Sequence, residues 1–361
     1  MTDTESAPSA RRVLITGISS KIAGMLAASL EARDDIEEVI GVDTVEPTRV
    51  LARTEFVRAD LRNPLVARVI EASQVDTIIH VGTHTGPASS GGRSRMKELN
   101  VLGAMQLFAA AQRSPHVRRV VLKSSAAVYG SRHDGPGLLH EQDVPTALPA
   151  DGWSRDAVEV ERYAQNLAER RPDVDVTVLR FANFLGAEVD SLFASFFALP
   201  VVPSIMGYDP RLQFIHERDA VAVTELAALG APAGTYNVAA PGVLYLSQCI
   251  RLAGRVPVPV PGPLAGVVGS LLRSSRRVDF TPEQLRFLQF GRVSDTTAMV
   301  ETLGYHPIYD VRAAFEDFVS RRSITGLLDR DEIGRWEREL YDFIARRGQE
   351  RFVAARRGGQ R

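Results

Sequence analysis

Several residue types and patterns are scarce in this chain, and each scarcity narrows what it is. There is one cysteine, Cys249, among 361 residues. That excludes an internal disulfide and a cysteine-based metal site. Lysine occurs three times, at Lys21, Lys97 and Lys123, against 40 arginines. The skew fits a GC-rich genome better than a function. Neither sign of charge is in excess: the formal net charge is −1, so no global field argues for nucleic acid or an anionic membrane. No run of roughly 18 apolar residues appears, so no membrane span is expected. No apolar stretch precedes a cleavage site near the N-terminus, and the expectation is a cytoplasmic protein. No His/Asp/Glu cluster has metal-ligand spacing, and no Gly-x-Ser-x-Gly elbow occurs.

What is present is ample apolar material, 45% of the chain, arranged in alternation. Val13–Thr16, 39–43, 56–60, 77–81, 119–124 and 176–180 are short apolar runs that read as strands. Residues 21–32, 64–73, 97–113 and 154–170 carry helical periodicity between them. Strands apolar on both faces and separated by helices predict a doubly wound, Rossmann-like parallel sheet of the α/β class. We divide the chain into a polar, disordered tail (1–10), a dinucleotide-binding domain (11–183), a smaller C-terminal substrate lobe (184–325) and a terminal segment (326–361). The lobe is interleaved near 214–240 with a further helix and strand of the main sheet. The terminal segment holds an amphipathic helix at 333–347, through Trp336, Leu340, Phe343 and Ile344, and an arginine-rich tail.

The turn after the first strand runs Thr16-Gly17-Ile18-Ser19-Ser20-Lys21-Ile22-Ala23-Gly24. A Gly-x-x-Gly-x-x-Gly loop brings backbone N–H groups to a pyrophosphate at a helix N-terminus. Here Gly17 is kept, Ser20 takes the second glycine position and Ala23 the third. Alone, this loop reads equally as a cofactor loop or an ordinary turn. Asp43 tips the reading. It ends the second strand, 26 residues after Gly17, where an acidic side chain accepts hydrogen bonds from an adenine ribose and repels a 2′-phosphate. The expected cofactor is therefore NAD rather than NADP. Asp60, at the next strand end, is placed to meet the adenine.

Several ordered segments resemble the extended short-chain dehydrogenase/reductases, the NAD-dependent epimerase/dehydratase family of UDP-galactose 4-epimerase and the nucleotide-sugar dehydratases. They are Asp60-Leu61-Arg62, Ile79-His80-Val81-Gly82, Asn100-Val101-x-Gly103, Ser124-Ser125-Ala126-Ala127-Val128-Tyr129-Gly130 and Arg180-Phe181-Ala182-Asn183-Phe184-Leu185-Gly186. Phe214-Ile215-His216-x-x-x-Asp219, Thr235-Tyr236-Asn237-Val238 and Gly304-Tyr305-x-Pro307 continue the series. The similarity spans roughly residues 11–320, and is greatest to an actinobacterial epimerase/dehydratase-like group. The resemblance implies roles. Ser125 falls on the serine or threonine that hydrogen-bonds the reacting oxygen. Asn100 falls beside nicotinamide and substrate, Leu61 in the adenine turn, and Val81 and Gly82 along the cofactor cleft. Asn183 falls on a contact to the substrate diphosphate, and Arg276 and Arg277 are further candidates for it. The implied substrate is a nucleotide sugar, and the implied assembly a homodimer through helices 97–113 and 154–170.

One family element is missing. Where Tyr-x-x-x-Lys is expected stands Trp153-Ser154-Arg155-Asp156-Ala157. A tyrosinate accepts a proton because a nearby ammonium lowers its pKa; an indole only donates, and alanine carries no charge. No other register restores the dyad: Gly17, Arg93 and Arg119 lie four residues before the three lysines. Tyr163 lies ten residues along the helix, about 15 Å of rise away. His84 is a candidate replacement in the loop 82–95, where an imidazole titrates near neutrality; a solvated loop histidine is the plainer reading. Asp156 and Glu159 flank the gap, where a first-turn carboxylate ordinarily complements the helix dipole. His80 reads as structural, and His216, near Asp219, as a fold-stabilising hydrogen-bonder. Three functions follow: a divergent NAD-dependent epimerase, dehydratase or dehydrogenase; a non-catalytic NAD-binding sensor or partner module; or a dehydrogenase for a lipid or sterol-like alcohol. The third rests on Phe184, Phe193, Phe196, Phe197 and the run 263–272, which core packing also explains.

Overall fold

The computed structural model describes residues 11–82, 91–143, 152–189, 191–199, 201–264, 266 and 281–322. His84, Arg276, Arg277, the N-terminal tail, the terminal segment and most of the run 263–272 lie outside the described residues. The elements are β1 (Arg11–Thr16), α1 (Lys21–Glu31), β2 (Ile36–Asp43), β3 (Thr54–Arg58), α2 (Val66–Ala72), β4 (Thr77–His80), α3 (Arg93–Lys97), α4 (Gly103–Arg113), β5 (Arg119–Ser125), α5 (Trp153–Arg170) and β6 (Asp175–Phe181). There follow β7 (Asn183–Leu185), α6 (Leu192–Ala198), β8 (Val201–Ile205), β9 (Arg211–Leu212), β10 (Phe214–His216), α7 (Glu217–Ala228), β11 (Gly234–Val238), β12 (Leu244–Tyr245), α8 (Leu246–Leu252) and β13 (Val256–Val260). The helices Pro282–Phe290, Thr297–Glu301 and Val311–Arg321 come last.

Seven parallel strands form the main sheet in the order β11-β6-β5-β4-β1-β2-β3. The chain reverses direction across the sheet between β1 and β4, which opens a crevice at their carboxyl ends. Period-two alternation explains why the strands are apolar on both faces. Val13 and Ile15 face α1 and α7 in one core, while Leu14 faces α2, α4 and α5 in the other. The helix and strand expected near 214–240 are α7 and β11, and β11 pairs with β6.

One helix differs from the sequence reading. The helix expected at 97–113 begins at Arg93 and passes through a π turn at Glu98–Leu102 before α4. Periodicity did not register the start because Arg93, Ser94, Arg95 and Lys97 offer one buried apolar residue, Met96. Three phenylalanines of the second lobe, Phe193, Phe196 and Phe197, are core, whereas Phe184 is partly exposed and lines the cleft: Phe196 and Phe197 are fully buried, with rings 5.2 Å apart, and Phe197 stands 5.0 Å from Phe315.

The C-terminal region is tied down by carboxylates. Asp219 accepts from Tyr305 Oη at 2.8 Å and from the backbone of Ile308 and Tyr309. His216 does stabilise the fold, but through Asp317 at 3.2 Å, with its ring stacked on Tyr309.

A buried ion pair anchors α5. Arg180 of β6 donates to both oxygens of Glu161, and Ser124 Oγ donates to Glu161 at 2.5 Å. Arg180 also reaches Tyr129 Oη at 2.9 Å. Burial works against the Arg180 charge, but hydrogen bonding and the field of Glu161 outweigh it and raise its pKa. Removing one partner of a buried pair strands the other charge, at about 3–5 kcal/mol. We therefore expect Glu161→Ala to lower Tm by roughly 4–7 °C, read by calorimetry. A fall of only a degree or two would show that the pair does not anchor α5.

Candidate functional site

A cleft of about 650 Å³ opens at the carboxyl ends of β1, β2, β4, β5 and β6. Its floor at one end is the β1–α1 turn. Gly17 has φ +71, a left-handed conformation suited to glycine. A Cβ on it would lie 2.3 Å from Gly82 Cα, so the ends of β1 and β4 meet backbone to backbone. Gly17 N donates to Val42 O, which holds the turn against β2. Ser20 is the N-cap of α1: its Oγ accepts from Ala23 N and donates to Gly17 O. The side chain that weakens the glycine pattern is thus folded into the cap, although Ser20 still lines the cleft. Ala23 is buried beneath the turn and does not line it.

Asp43 and Asp60 both line the same end. Asp43 accepts from Ser19 N and Oγ (2.6 Å) with one oxygen and from Thr44 N with the other, so it also braces the turn. Asp60 is gripped by Arg62, whose hydrogen bonds hold its carboxyl below the usual carboxylate range. Leu61, Val81 and Gly82 complete this stretch of wall. Asn100 is fully buried inside the π turn rather than on the cleft surface.

At the other end stand Ser125, Trp153 and Asn183. Ser125 closes β5, and its Oγ accepts from Ala127 N to cap the short turn Ala126–Tyr129. Trp153 begins α5. Gly152 before it has φ +95, and a Cβ there would meet the Glu283 carboxylate at 2.5 Å. Glu283 accepts from Trp153 N at 2.9 Å, capping α5 from a helix 130 residues away in the chain. Ala157 does not reach the cleft. It is buried with Ala126, Val128, Leu139 and Val158. The missing lysine is therefore replaced by apolar packing.

The flanking carboxylates are committed elsewhere. Asp156 is fully buried in a bidentate pair with Arg93, at 2.7 and 2.8 Å. Glu159 lies 3.1 Å from Arg155 and 3.8 Å from Lys97. His80 is buried, with Nδ1 2.7 Å from Thr16 Oγ1. Among the described residues no His/Cys/Asp/Glu group is arranged to hold a metal, and no helix is long and apolar enough to cross a membrane.

Four lining residues with chemistry to offer, Lys123, Glu283, Gln284 and Arg292, are not picked out as site residues by the sequence. Lys123 stands two residues before Ser125 on β5, 5.6 Å from the centre of the Phe184 ring. Glu283 and Gln284 come from the Pro282–Phe290 helix, which opens with a Thr-Pro-Glu-Gln capping box legible in sequence. Arg292 donates to Gly130 O at 2.9 Å and to Ser131 Oγ. Burial pulls it down to about 10, so it stays a cation at neutral pH.

The model of the NAD-dependent epimerase/dehydratase family matches residues 13–239. An uncharacterized protein of Mycobacterium tuberculosis is 44% identical over 329 residues, covering 90% of this chain and 88% of its own. UDP-glucose 4-epimerase of Yersinia pestis is 28% identical over 140 residues, 38% of this chain and 40% of its own. Among solved structures, UDP-glucose 4-epimerase of Thermotoga maritima, determined with UDP-glucose, matches with a TM-score of 0.69 at 17% identity, covering 86% of this chain and 98% of that one. dTDP-glucose 4,6-dehydratase of Bacillus anthracis, in complex with NAD, matches with a TM-score of 0.67 at 16% identity, covering 87% and 97%. At such identities the structures speak to the fold, while the family model spans more than half of the sequence: this chain belongs to the NAD-dependent epimerase/dehydratase family.

Proposed function

We propose that the protein binds NAD in this cleft and uses it for hydride transfer on a nucleotide sugar. The observation that carries the reading is one continuous cleft running from Asp43 to Ser125 and Asn183. Its Asp43 end fits a dinucleotide. The Gly17–Gly82 approach leaves no side chain between the ends of β1 and β4, and the first-turn N–H groups of α1 suit a pyrophosphate. Asp43 retains acceptor capacity beyond its bonds to Ser19 and Thr44, and its charge disfavours a 2′-phosphate, hence NAD over NADP. Asp60 and Leu61 take the adenine, and Val81 and Gly82 the nicotinamide side. The solved relatives determined with UDP-glucose and with NAD support both ligand classes.

When bound, NAD supplies an acceptor for the hydride leaving a sugar carbon. Ser125 orients the reacting oxygen by hydrogen bonding, and Asn183 meets the substrate diphosphate. Trp153 and Ala157 supply neither a proton acceptor nor a cation. That observation favours a second reading, a non-catalytic NAD-binding module.

Thermal unfolding separates these readings. A ligand at one hundred times its Kd stabilises by roughly 2.7 kcal/mol, a shift of a few degrees. We expect NAD and NADH to raise Tm, NADP not to, and a UDP-, GDP- or dTDP-sugar to add to the NAD shift. No shift with either nucleotide would overturn the cofactor reading. Asp43→Ala removes an acceptor of charged hydrogen bonds and should weaken NAD binding about tenfold to a hundredfold. Ser125→Ala should cut turnover by about 10²–10³-fold without moving the NAD shift. Absence of wild-type turnover over the whole sugar panel, with the NAD shift intact, would select the binding module.

A further inference from the structure

We propose that Lys123 is the acid–base group of the cleft, exchanging the proton of the hydroxyl that Ser125 orients. This rests on the hydride-transfer reading above. It gives the protein a proton acceptor that Trp153 and Ala157 cannot provide.

Strand geometry puts the two residues together. Successive side chains of β5 alternate, so Val121, Lys123 and Ser125 share one face and Leu122 and Ser124 the other. Both assignments are anchored. Val121 packs in the core with α1, whereas Leu122 packs on the opposite side and Ser124 Oγ donates to Glu161 of α5. Lys123 and Ser125 are about 7 Å apart along the strand, within the span of a lysine stem, and both line the cleft. Phe184, which follows the lining residue Asn183, presents its ring to the ammonium at 5.6 Å.

Composition points the same way. The chain uses arginine 40 times and lysine three times. Two of the three lysines, Lys21 and Lys123, line this cleft. An arginine does not release its proton in a protein, whereas a buried lysine does. Burial draws Lys123 down to about 8, so a useful fraction is neutral near physiological pH. The other charged groups facing the cleft are Lys21, Asp43, Asp60, Glu283 and Arg292.

The step balances. In the oxidising direction the lone pair of neutral Nζ takes the hydroxyl proton and becomes an ammonium. The O–H electron pair forms the new C=O bond, and the C–H pair leaves as hydride to NAD⁺. The alcohol is oxidised and the dinucleotide reduced. In the return direction the ammonium gives the proton back to the oxygen.

With only three lysines, reductive ¹³C-methylation gives few signals to follow by NMR. The signal lost in Lys123→Met should titrate near 8 and should move when NADH or UDP-glucose is added. Titration in the range of an ordinary exposed lysine, with no response to either ligand, would overturn the proposal. In turnover, Lys123→Met should lose about 10²–10⁴-fold in kcat, keep the NAD-induced thermal shift and lose the limb of the pH profile near 8. Lys123→Arg keeps the charge but accepts no proton, and should be as impaired. Rescue by arginine, or full kcat in Lys123→Met beside an active wild type, would overturn the role of Lys123 alone. A wild type that binds NAD yet turns over no nucleotide sugar would overturn the enzymatic reading, and this role with it.

Discussion

The buried pair between Glu161 and Arg180 fixes how β5, β6 and α5 meet beside the cleft. Glu161 belongs to α5, Arg180 to β6, and the pair gathers Ser124 of β5 and Tyr129 of the turn beyond it. Tyr129 Oη donates to Asn237 of β11 at 2.6 Å, and Arg180 donates to the Glu141 carbonyl. One polar network thus joins three neighbouring strands, a helix and a loop. Two charges out of water are costly unless their remaining donors and acceptors are satisfied, and here the surrounding oxygens do so. The consequence for the cleft is geometric. Because Ser124 is held on the α5 side, Ser125 must project to the other side, where the ligand space lies.

The same helix explains how the dyad positions can lose their chemistry without loss of structure. Trp153 and Ala157 are one turn apart and share a helix face. Trp153 borders the cleft, while Ala157 belongs to a small apolar cluster with Val128 and Leu139. The exposed N–H groups of the first turn are met by Glu283 from outside, and Arg93 clamps Asp156 and the Gly152 carbonyl. The start of α5 is therefore closed by an anion and a cation from distant elements. It does not depend on a tyrosine or lysine of its own.

What could be read in the sequence was whatever depends on local pattern. Continuous apolar runs at 13–16, 77–80 and 119–122 gave the strands, because both faces of this sheet are covered. Gly17 and Asp43 were legible because turn and strand end lie within one βαβ unit. Ser20 was harder: a serine in the glycine position reads as an obstruction, whereas its hydroxyl closes the N-cap. Arg93 was missed because its function is an ion pair with Asp156, 63 residues on. His216 reads as a fold-stabilising hydrogen-bonder, but its partner, Asp317, lies 101 residues away. Glu283 had a visible capping box around it, but nothing local tied it to α5. Lys123 has no tyrosine four residues before it and sits in no motif; what places it is its period-two relation to Ser125 on β5.

The two ends of the cleft differ in how far the chain must reach to build them. The Asp43 end is made by the β1–α1 turn, the β2 end and the turn after β3, where backbone geometry and two carboxylates set the shape. The Ser125 end draws Lys123 and Ser125 from β5, Asn183 from β7, Trp153 from α5 and Glu283 and Arg292 from the C-terminal region. Side chains from separated elements can be exchanged while strand order, the Gly17–Gly82 approach and the Glu161–Arg180 pair stay as they are. That is why fold and ligand class are so much plainer here than chemistry: fold decides where a ligand lies, and a few side chains decide what happens to it. Lys123 is the exception among those side chains. Its direction is dictated by the alternation that holds Ser124 against Glu161, so the contact that organises the fold also aims an amine into the cleft.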